Sequence, residues 1–457
     1  MRAAGLPGIF IDTFAGYYKL LLQGHTGLIP ESEIKPVGSL PDRAHFPDRL
    51  AEIGSKALPY TAVIKVNGGL GTSMGLRRAK SLLSIRDGLT FLDITVKQAL
   101  NAGVPLLLMN SFATDADTLA ELTRYPELKG RLPLRFLQHK EPKVRQDDLQ
   151  PVEWPPDPKL EWCPPGHGDL YTALVTSGAL DALLAAGYQY AFISNSDNLG
   201  AVLDHTILGY FAENGFPFMM EVTERTEMDK KGGHLACRLD GGLLLRETAQ
   251  CAAGDTAAFQ DVFRHRYFNT NNLWLNLPVF KQVMTERGNQ LGLPLIRNPK
   301  TADPRDPTST PVYQLETAMG SAIAVFPGAH AIRVPRDRFA PVKTTNQLLL
   351  VRSDAFVLTD DYCVVANPKR PFPAVAIDLD AKYYKFVNDF EPRFPHGAPS
   401  LLHCERLIVQ GDFKFGRHVV CEGEVRLINQ SDEQATIPDG AVLRGEYHYE
   451  NEETTTI

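Results

Sequence analysis

The chain has 457 residues, 44 % of them hydrophobic and 22 % charged, with a formal net charge of −7. This is the composition of a globular protein long enough for two or three domains, and the acidic balance argues against broad nucleic-acid or membrane-surface binding. No apolar run reaches the length of a membrane span, and the N-terminus is too broken by Gly and Asp for a signal peptide, so a cytoplasmic protein is expected.

In chain order, residues 1–58 read as an N-terminal helical segment. Ile11, Phe14, Tyr18, Leu21 and Leu22 recur at helical spacing, and the pattern is extended from about residue 11 to 58, with Pro30, Pro36, Pro41 and Pro47 punctuating a connector. TAVIKV, from Thr61, is a β-branched run that suits a buried strand. It runs into VNGGLGTSMGLRRAKS, where four glycines stand beside Arg77, Arg78 and Lys80. Such a loop lets a ligand approach the backbone, and converging N–H groups with nearby cations suit a phosphate. The spacing is neither of the two common phosphate loops. Ala79 stands where a Walker loop needs glycine, and Met74 where GxGxxG needs its third.

Thr90-x-x-Asp93 predicts a capping box opening a helix to about Ala102. VPLLLMN, LRFLQ, YAFISNSD and FPFMMEV follow as strands, and LYTALVTSGALDALLAAG as one helix. The alternation predicts a mostly parallel sheet covered on both faces, with ligands beyond the carboxyl ends of its strands.

Four further stretches carry chemistry. PPGHGD places Gly166, His167 and Gly168 before a helix, and NSDNLGA leaves a strand with Asn195 and Asp197. One strand-end carboxylate is the hard oxygen ligand that a Mg²⁺–phosphate complex needs. FNTNNLWLNL clusters Asn269, Asn271, Asn272 and Asn276, whose amides both donate and accept as sugar hydroxyls require. FAPVKTT contributes Lys343. Taken singly, each has a commoner structural use: a turn histidine, a capping aspartate, turn asparagines, a surface lysine.

The tail has a six-residue repeat, with Leu407, Phe413, Val419 and Val425 in one column and Val409, Phe415, Cys421 and Leu427 in another. This predicts short turns of a β-helix, the alternative being a plain antiparallel sheet. The six cysteines show no CxxC pair and read as reduced thiols. His403-Cys404 and His418-x-x-Cys421 fall inside the repeat, which explains them better than zinc does.

Aligned in order, NGGLGTSMG, Gln138 after a strand, PPGHGD, NSDNLGA, MEVTERT with KGGHL, NTNNLWLNL, QLETAMGSAI and RFAPVKTTNQLLL resemble the eukaryotic-type UTP–glucose-1-phosphate uridylyltransferases. The match spans residues 66 to about 350, and the tail resembles that family's partial β-helix. The resemblance implies a Rossmann-like nucleotidyltransferase core with a mixed, mostly parallel sheet at 59–350. It also implies a C-terminal domain with a partial left-handed β-helix at 351–457. The stacked apolar columns of that tail end in unpaired strand edges that need covering, so a homo-oligomer formed through it is expected, the alternative being that the polar end ENEETTTI serves as a soluble terminus. It implies Mg²⁺ dependence and formation of UDP-glucose and pyrophosphate from UTP and glucose 1-phosphate. Asn67, Gly68 and Gly69 match nucleotide-binding positions, and Gln138 and Gly166 the uracil-reading ones. Lys80 and Lys343 match the phosphate-facing lysines, and Asp197 the metal ligand. His167 matches the position near the sugar phosphate, and Asn195, Gly233, Glu247, Asn269 and Asn271 match the sugar pocket. The chain departs from the family at Arg78-Ala79, where Gly-Pro is usual, and around Gln138 in LQHKEPKV.

The chemistry agrees with this resemblance. A sugar phosphate oxygen is already anionic, so no Ser-His or Cys-His activator is required, and the task is to orient two polyanions and stabilise charge. Competing readings are transfer to another hexose 1-phosphate, such as galactose 1-phosphate or an N-acetylhexosamine 1-phosphate, and a silent nucleotide-sugar-binding regulator.

Overall fold

Two α-helices, rather than one long helical segment, occupy the N-terminal region: α1 (Gly8–Leu22) and α2 (Arg49–Ala57). The expectation of helix from 11 to 58 fails between them because proline lacks an N–H and biases the preceding residue to extended backbone. That stretch crosses the molecule with one short strand, β1 (Ile34–Pro36). The structure, a computed structural model, describes residues 1–130, 132–372, 375–450 and 453–456.

A ten-stranded sheet forms the centre. Its parallel half consists of β2 (Thr61–Asn67), β3 (Leu106–Asn110), β4 (Arg135–Leu137) and β5 (Tyr190–Asn195), in spatial order β5-β2-β3-β4. Beyond β5 the sheet turns antiparallel through β6 (Phe218–Glu224), β7 (His234–Arg238), β8 (Leu243–Arg246) and β9 (Tyr267–Asn276). A last strand, β10 (His330–Arg333), lies parallel to β6. The sheet is therefore mixed, and its antiparallel pairings outnumber the parallel ones. The prediction of a mostly parallel sheet holds only for the half whose strands are joined by helical crossovers.

Both faces are covered, as apolar strands without alternation require. Ile64, Ile193 and Leu275 pack towards Tyr171, Leu180 and Phe280, whereas Val63, Phe192 and Trp274 pack towards Val96, Ile207 and Phe211. The first face is covered by α5 (Leu170–Thr176), α6 (Ala179–Ala185) and α8 (Leu277–Glu286). The second is covered by α2, α3 (Phe91–Ala102) and α7 (His205–Asn214), while α4 (Asp115–Leu122) follows β3. The predicted capping box is present at α3, with the Asp93 N–H donating to Thr90 Oγ1 at 3.1 Å. The helix predicted from Leu170 breaks into α5 and α6 at Gly178, whose φ is 75°. α2 and α7 cross where both lack side chains: a Cβ on Gly54 would lie 1.7 Å from the His205 carbonyl oxygen.

Beyond α9 (Thr345–Arg352), the tail forms two parallel ladders. β11 (Ala376–Leu379), β12 (Ser400–Gln410), β14 (Val420–Asn429) and β16 (Val442–Glu450) stack side by side in one. β13 (Phe413–Phe415) and β15 (Ala435–Ile437) form the other, and β17 (Glu453–Thr456) returns antiparallel on β16. Both predicted apolar columns are buried. A six-residue repeat is not a full turn, however. Leu407 lies opposite Val425 and Val409 opposite Leu427, so three repeats separate one strand from the strand stacked upon it. The tail's core also continues into the rest of the molecule, joining Leu407 and Phe413 to Met74 of the glycine loop and Val342 beside Lys343.

Candidate active site

β2, β3, β4 and β5 end on the same side of the sheet, and the segments after them carry most of the predicted site. Asn67 closes β2, but its side chain faces inward, donating to Asn110 Oδ1 at 2.8 Å and Thr118 Oγ1 at 3.0 Å. Its carbonyl accepts from Thr114 Oγ1, and that of Gly68 from Ser111 Oγ at 2.8 Å. The loop's entry is thus tied down by residues after β3, leaving backbone beyond it exposed to a ligand. A Cβ on Gly69 would meet nothing within 4 Å. Lys80 returns to the strand end, where its N–H donates to the Gly69 carbonyl at 3.1 Å.

Lys80 Nζ donates to Asp197 Oδ2 at 2.5 Å. The two residues lie 117 positions apart in the chain, and their side chains are largely withdrawn from solvent, at 13 % and 18 % exposure. Asp197 Oδ1 is buried without a hydrogen-bond partner among the described residues. A buried carboxylate oxygen so placed is costly unless a cation or donor reaches it. Among the described residues, no group of three or more His, Cys, Asp or Glu is arranged to hold a metal ion. A cation held at Asp197 would take most of its shell from water and phosphate, as Mg²⁺ prefers.

On one flank, Gln138 Nε2 donates to the Gly166 carbonyl at 2.7 Å. A Cβ on Gly68 would lie 2.8 Å from Gln138 Oε1, so a side chain there would displace the amide. Gly166 has a φ of 77°, and a Cβ there would lie 2.5 Å from the Thr317 oxygen, so the position accepts little else. His167 Nδ1 accepts the Met319 N–H at 2.9 Å, which leaves the proton of the neutral ring on Nε2. Burial, with a smaller contribution from Lys343, pushes the imidazole down to about 4. It is therefore a neutral donor at physiological pH.

On the other flank lie the sugar-pocket candidates. A Cβ on Gly233 would sit 2.5 Å from Glu247 Oε2, and the Asn269 N–H donates to the Gly233 carbonyl at 3.1 Å. Burial raises the Glu247 carboxyl, while Lys343 and Asn269 oppose the shift. Asn269 Nδ2 donates to Asn271 Oδ1 at 2.9 Å, and Asn271 has a φ of 58° where β9 slips register against β6. That irregularity separates two uses within one asparagine cluster. Asn272 is buried in the scaffold and Asn276 caps α8, accepting the Val279 N–H at 3.2 Å. Asn195 ends β5, while Lys343 is exposed and near enough to affect both His167 and Glu247.

What the motifs did not reveal is the buried support beneath Lys343. Arg338 Nε and Nη2 clasp the fully buried Glu221 at 2.7 and 2.8 Å, and Trp274 Nε1 and Asn272 Nδ2 donate to the same carboxylate. Asn198 Oδ1 accepts the Ala340 N–H at 2.9 Å, and the Val342 N–H donates to the Asp197 carbonyl at 3.2 Å. The segment bearing Lys343 is thereby fastened to the segment bearing Asp197. The one advance signal was a glutamate inside the apolar run FPFMMEV. Lys65 of β2 was also missed: it is buried beside β5, bonded to Ser194 Oγ at 2.8 Å, and pushed down to about 7 mainly by burial.

An α/β sheet whose strand ends carry a glycine loop, a lysine–carboxylate pair and flanking amide-rich loops defines a class of proteins that take phosphorylated ligands. Residues 11–422 match the family described as UTP–glucose-1-phosphate uridylyltransferase. The enzyme of that name from Solanum tuberosum is 40 % identical over 455 residues, covering 96 % of this chain and 93 % of that protein. Its counterpart from Saccharomyces cerevisiae is 42 % identical over 393 residues, covering 84 % and 77 %. The crystal structure of a UDP-glucose pyrophosphorylase variant from Leishmania major, in complex with UDP-glucose, superposes with a TM-score of 0.91 at 44 % identity, covering 98 % of each chain. The chain belongs to the UTP–glucose-1-phosphate uridylyltransferase family.

Proposed function

We propose that this protein transfers a uridylyl group from UTP to glucose 1-phosphate, forming UDP-glucose and pyrophosphate. The observation that carries the reading is the meeting of Lys80 and Asp197 at the strand ends, between a Gln138–Gly166 flank and a Glu247–Asn269 flank. The relatives' names and the Leishmania complex support the choice of ligands.

In this reading a phosphate oxygen of glucose 1-phosphate attacks the α-phosphorus of UTP. The bond from that phosphorus to the β-phosphate bridging oxygen breaks, and pyrophosphate leaves with the electron pair. Gly68 and Gly69 offer backbone to the nucleotide, and Asn67 shapes the loop through its buried amide. Gln138 and Gly166 read the uracil edge. Lys80 and Lys343 approach the phosphates from two sides, and His167 donates from Nε2 towards the sugar phosphate. Asn195, Gly233, Glu247, Asn269 and Asn271 receive the hexose. Asp197 would hold Mg²⁺ through its unpartnered oxygen, and the bound cation would neutralise phosphate charge.

The finer organisation follows the same reading. Residues 1–58 lead into a nucleotidyltransferase domain at 59–350, and 351–457 form a domain built on a partial left-handed β-helix through which copies associate. A cytoplasmic setting suits such soluble substrates. The deciding experiment measures pyrophosphate release with UTP against a panel of sugar 1-phosphates. Release only with glucose 1-phosphate supports the assignment, release with another hexose changes the acceptor, and none with any of them overturns it.

A further inference from the structure

A second group of buried polar residues lies directly behind the Gln138–Gly166 flank. His139 follows Gln138, and Asp169 lies three residues beyond Gly166. The His139 N–H donates to Asp169 Oδ2 at 2.7 Å, and His139 Nδ1 lies 2.9 Å from both carboxylate oxygens. The other ring nitrogen lies 3.0 Å from Thr176 Oγ1 on α5. Both side chains are buried, at 7 % and 2 % exposure, so neither is free to meet a ligand. Two residues further on, Glu141 Oε1 accepts the Leu315 N–H at 3.0 Å. The chain from Leu315 runs on to Thr317, whose N–H and carbonyl bond Pro165 and Gly168.

A single aromatic ring closes this arrangement from outside. Phe10 of α1 stacks on the His139 imidazole with centroids 4.3 Å apart and planes 10° from parallel, and it is only 2 % exposed. α1 is itself held by Tyr17, whose hydroxyl donates to the Leu293 carbonyl at 3.0 Å. Residues just after Gln138 and Gly166 are therefore joined by a buried imidazole–carboxylate pair, on which an N-terminal helix more than a hundred residues away in sequence packs.

We infer that Phe10, His139 and Asp169 form a positioning unit that holds the Gln138 and Gly166 loops at the spacing needed to receive the nucleotide base. This rests on the uridylyl-transfer reading above. The unit touches no substrate and acts through the two loops. A small displacement of groups that orient a substrate is enough to lower affinity substantially. Loosening the unit should weaken UTP more than glucose 1-phosphate, because His167 keeps its separate bond to Met319.

Two variants test this. Phe10→Leu keeps apolar volume while removing the stacked ring, and Asp169→Asn keeps shape while removing the charge. Steady-state kinetics, calorimetric UTP titration and thermal unfolding are measured on both and on the double variant. The expected result is a rise of about tenfold in the KM and Kd for UTP, with kcat within about twofold and the KM for glucose 1-phosphate little changed. The double variant should show less than the product of the single effects, because the residues act as one unit. If a folded Phe10→Leu protein binds UTP like the wild type, the inference is overturned. It is equally overturned if kcat alone falls while both KM values stay constant. If Asp169→Asn fails to fold, Phe10→Leu alone decides. A wild-type protein that binds UTP but forms no UDP-glucose would instead refute the functional reading, and the titrations would still test the clamp.

Discussion

Lys80 and Lys343 differ in setting, and that difference bears on what their removal does. Lys80 is paired with Asp197 and largely buried, whereas Lys343 is exposed and its side chain forms no ion pair among the described residues. Neither contributes to an apolar cluster, so Lys80→Ala and Lys343→Ala should each lower kcat/KM by about two orders of magnitude with little loss of fold. Turnover near wild type at saturating substrate in both variants would remove them from the site. Asp197→Asn keeps the shape and loses the charge. Its activity should fall steeply at low Mg²⁺ and recover in part as Mg²⁺ is raised. An unchanged rate with unchanged metal dependence would make Asp197 a turn residue. Asp197→Asn also releases Lys80, so the effects of Asp197→Asn and Lys80→Ala should not multiply.

Two deeply buried histidines contribute to the response to acid. His167 is pushed down to about 4, mainly by burial, and His234 to about 2 by burial and by neighbouring His265 and Arg225. The ordinary value is near 6.5, so below that pH the unfolded chain binds protons that the folded protein refuses. Stability from these groups is present above about 6.5 and is lost as pH falls, towards about 4 for His167 and further for His234. The unfolding temperature should therefore drop between pH 7 and pH 5. A His234→Gln variant should show a shallower slope, and an identical slope would show that His234 does not carry the effect.

At the scale of elements, the crossing of α2 and α7 is the tightest constraint. Gly54 meets the His205 carbonyl and Gly209 the Leu50 carbonyl, with no room for a methyl group at either position. Gly54→Ala gains helix propensity yet forces the helices apart, and overpacking of this kind costs about 1–3 kcal/mol. A denaturant midpoint unchanged or raised in that variant would mean that the helices separate freely. At the start of α3, Thr90→Ala removes one half of a reciprocal cap and should cost about 1 kcal/mol by the same measurement.

The whole molecule couples the tail to the site more closely than the repeat suggested. Phe394 stacks on Phe415 at 4.7 Å, the Tyr384 hydroxyl donates to the Phe413 carbonyl, and the same core reaches Met74 and Val342. Cutting the chain near residue 395 would strip the partners from these aromatic rings, so self-association is better tested by surface substitution. Val442, half exposed on β16, lies in the part of that last stacked strand before its pairing with β17 begins at Tyr447, where an uncovered edge invites pairing. Val442→Asp should yield a smaller assembly in light scattering with uridylyl transfer retained. An unchanged assembly size would refute self-association through this edge.

Local signals determined a good part of this protein without any structure. The glycine loop at the end of β2, the cap of α3, the parallel strands β2 to β5 and the buried columns of the tail all follow from neighbours a few residues apart. Backbone propensity, capping and side-chain periodicity act over that range, so they are legible in sequence. Tertiary structure decided the rest. The antiparallel half of the sheet arises because β9 inserts between β5 and β6, a choice made by packing rather than by any strand's own pattern. The meeting of Lys80 with Asp197 and the burial of Glu221 with Arg338 each join residues 117 positions apart, and Asn272 is drawn into the scaffold by Glu221, 51 positions away. Such contacts carry no local period, because a charge becomes buried and paired only once the fold has brought its partner to it.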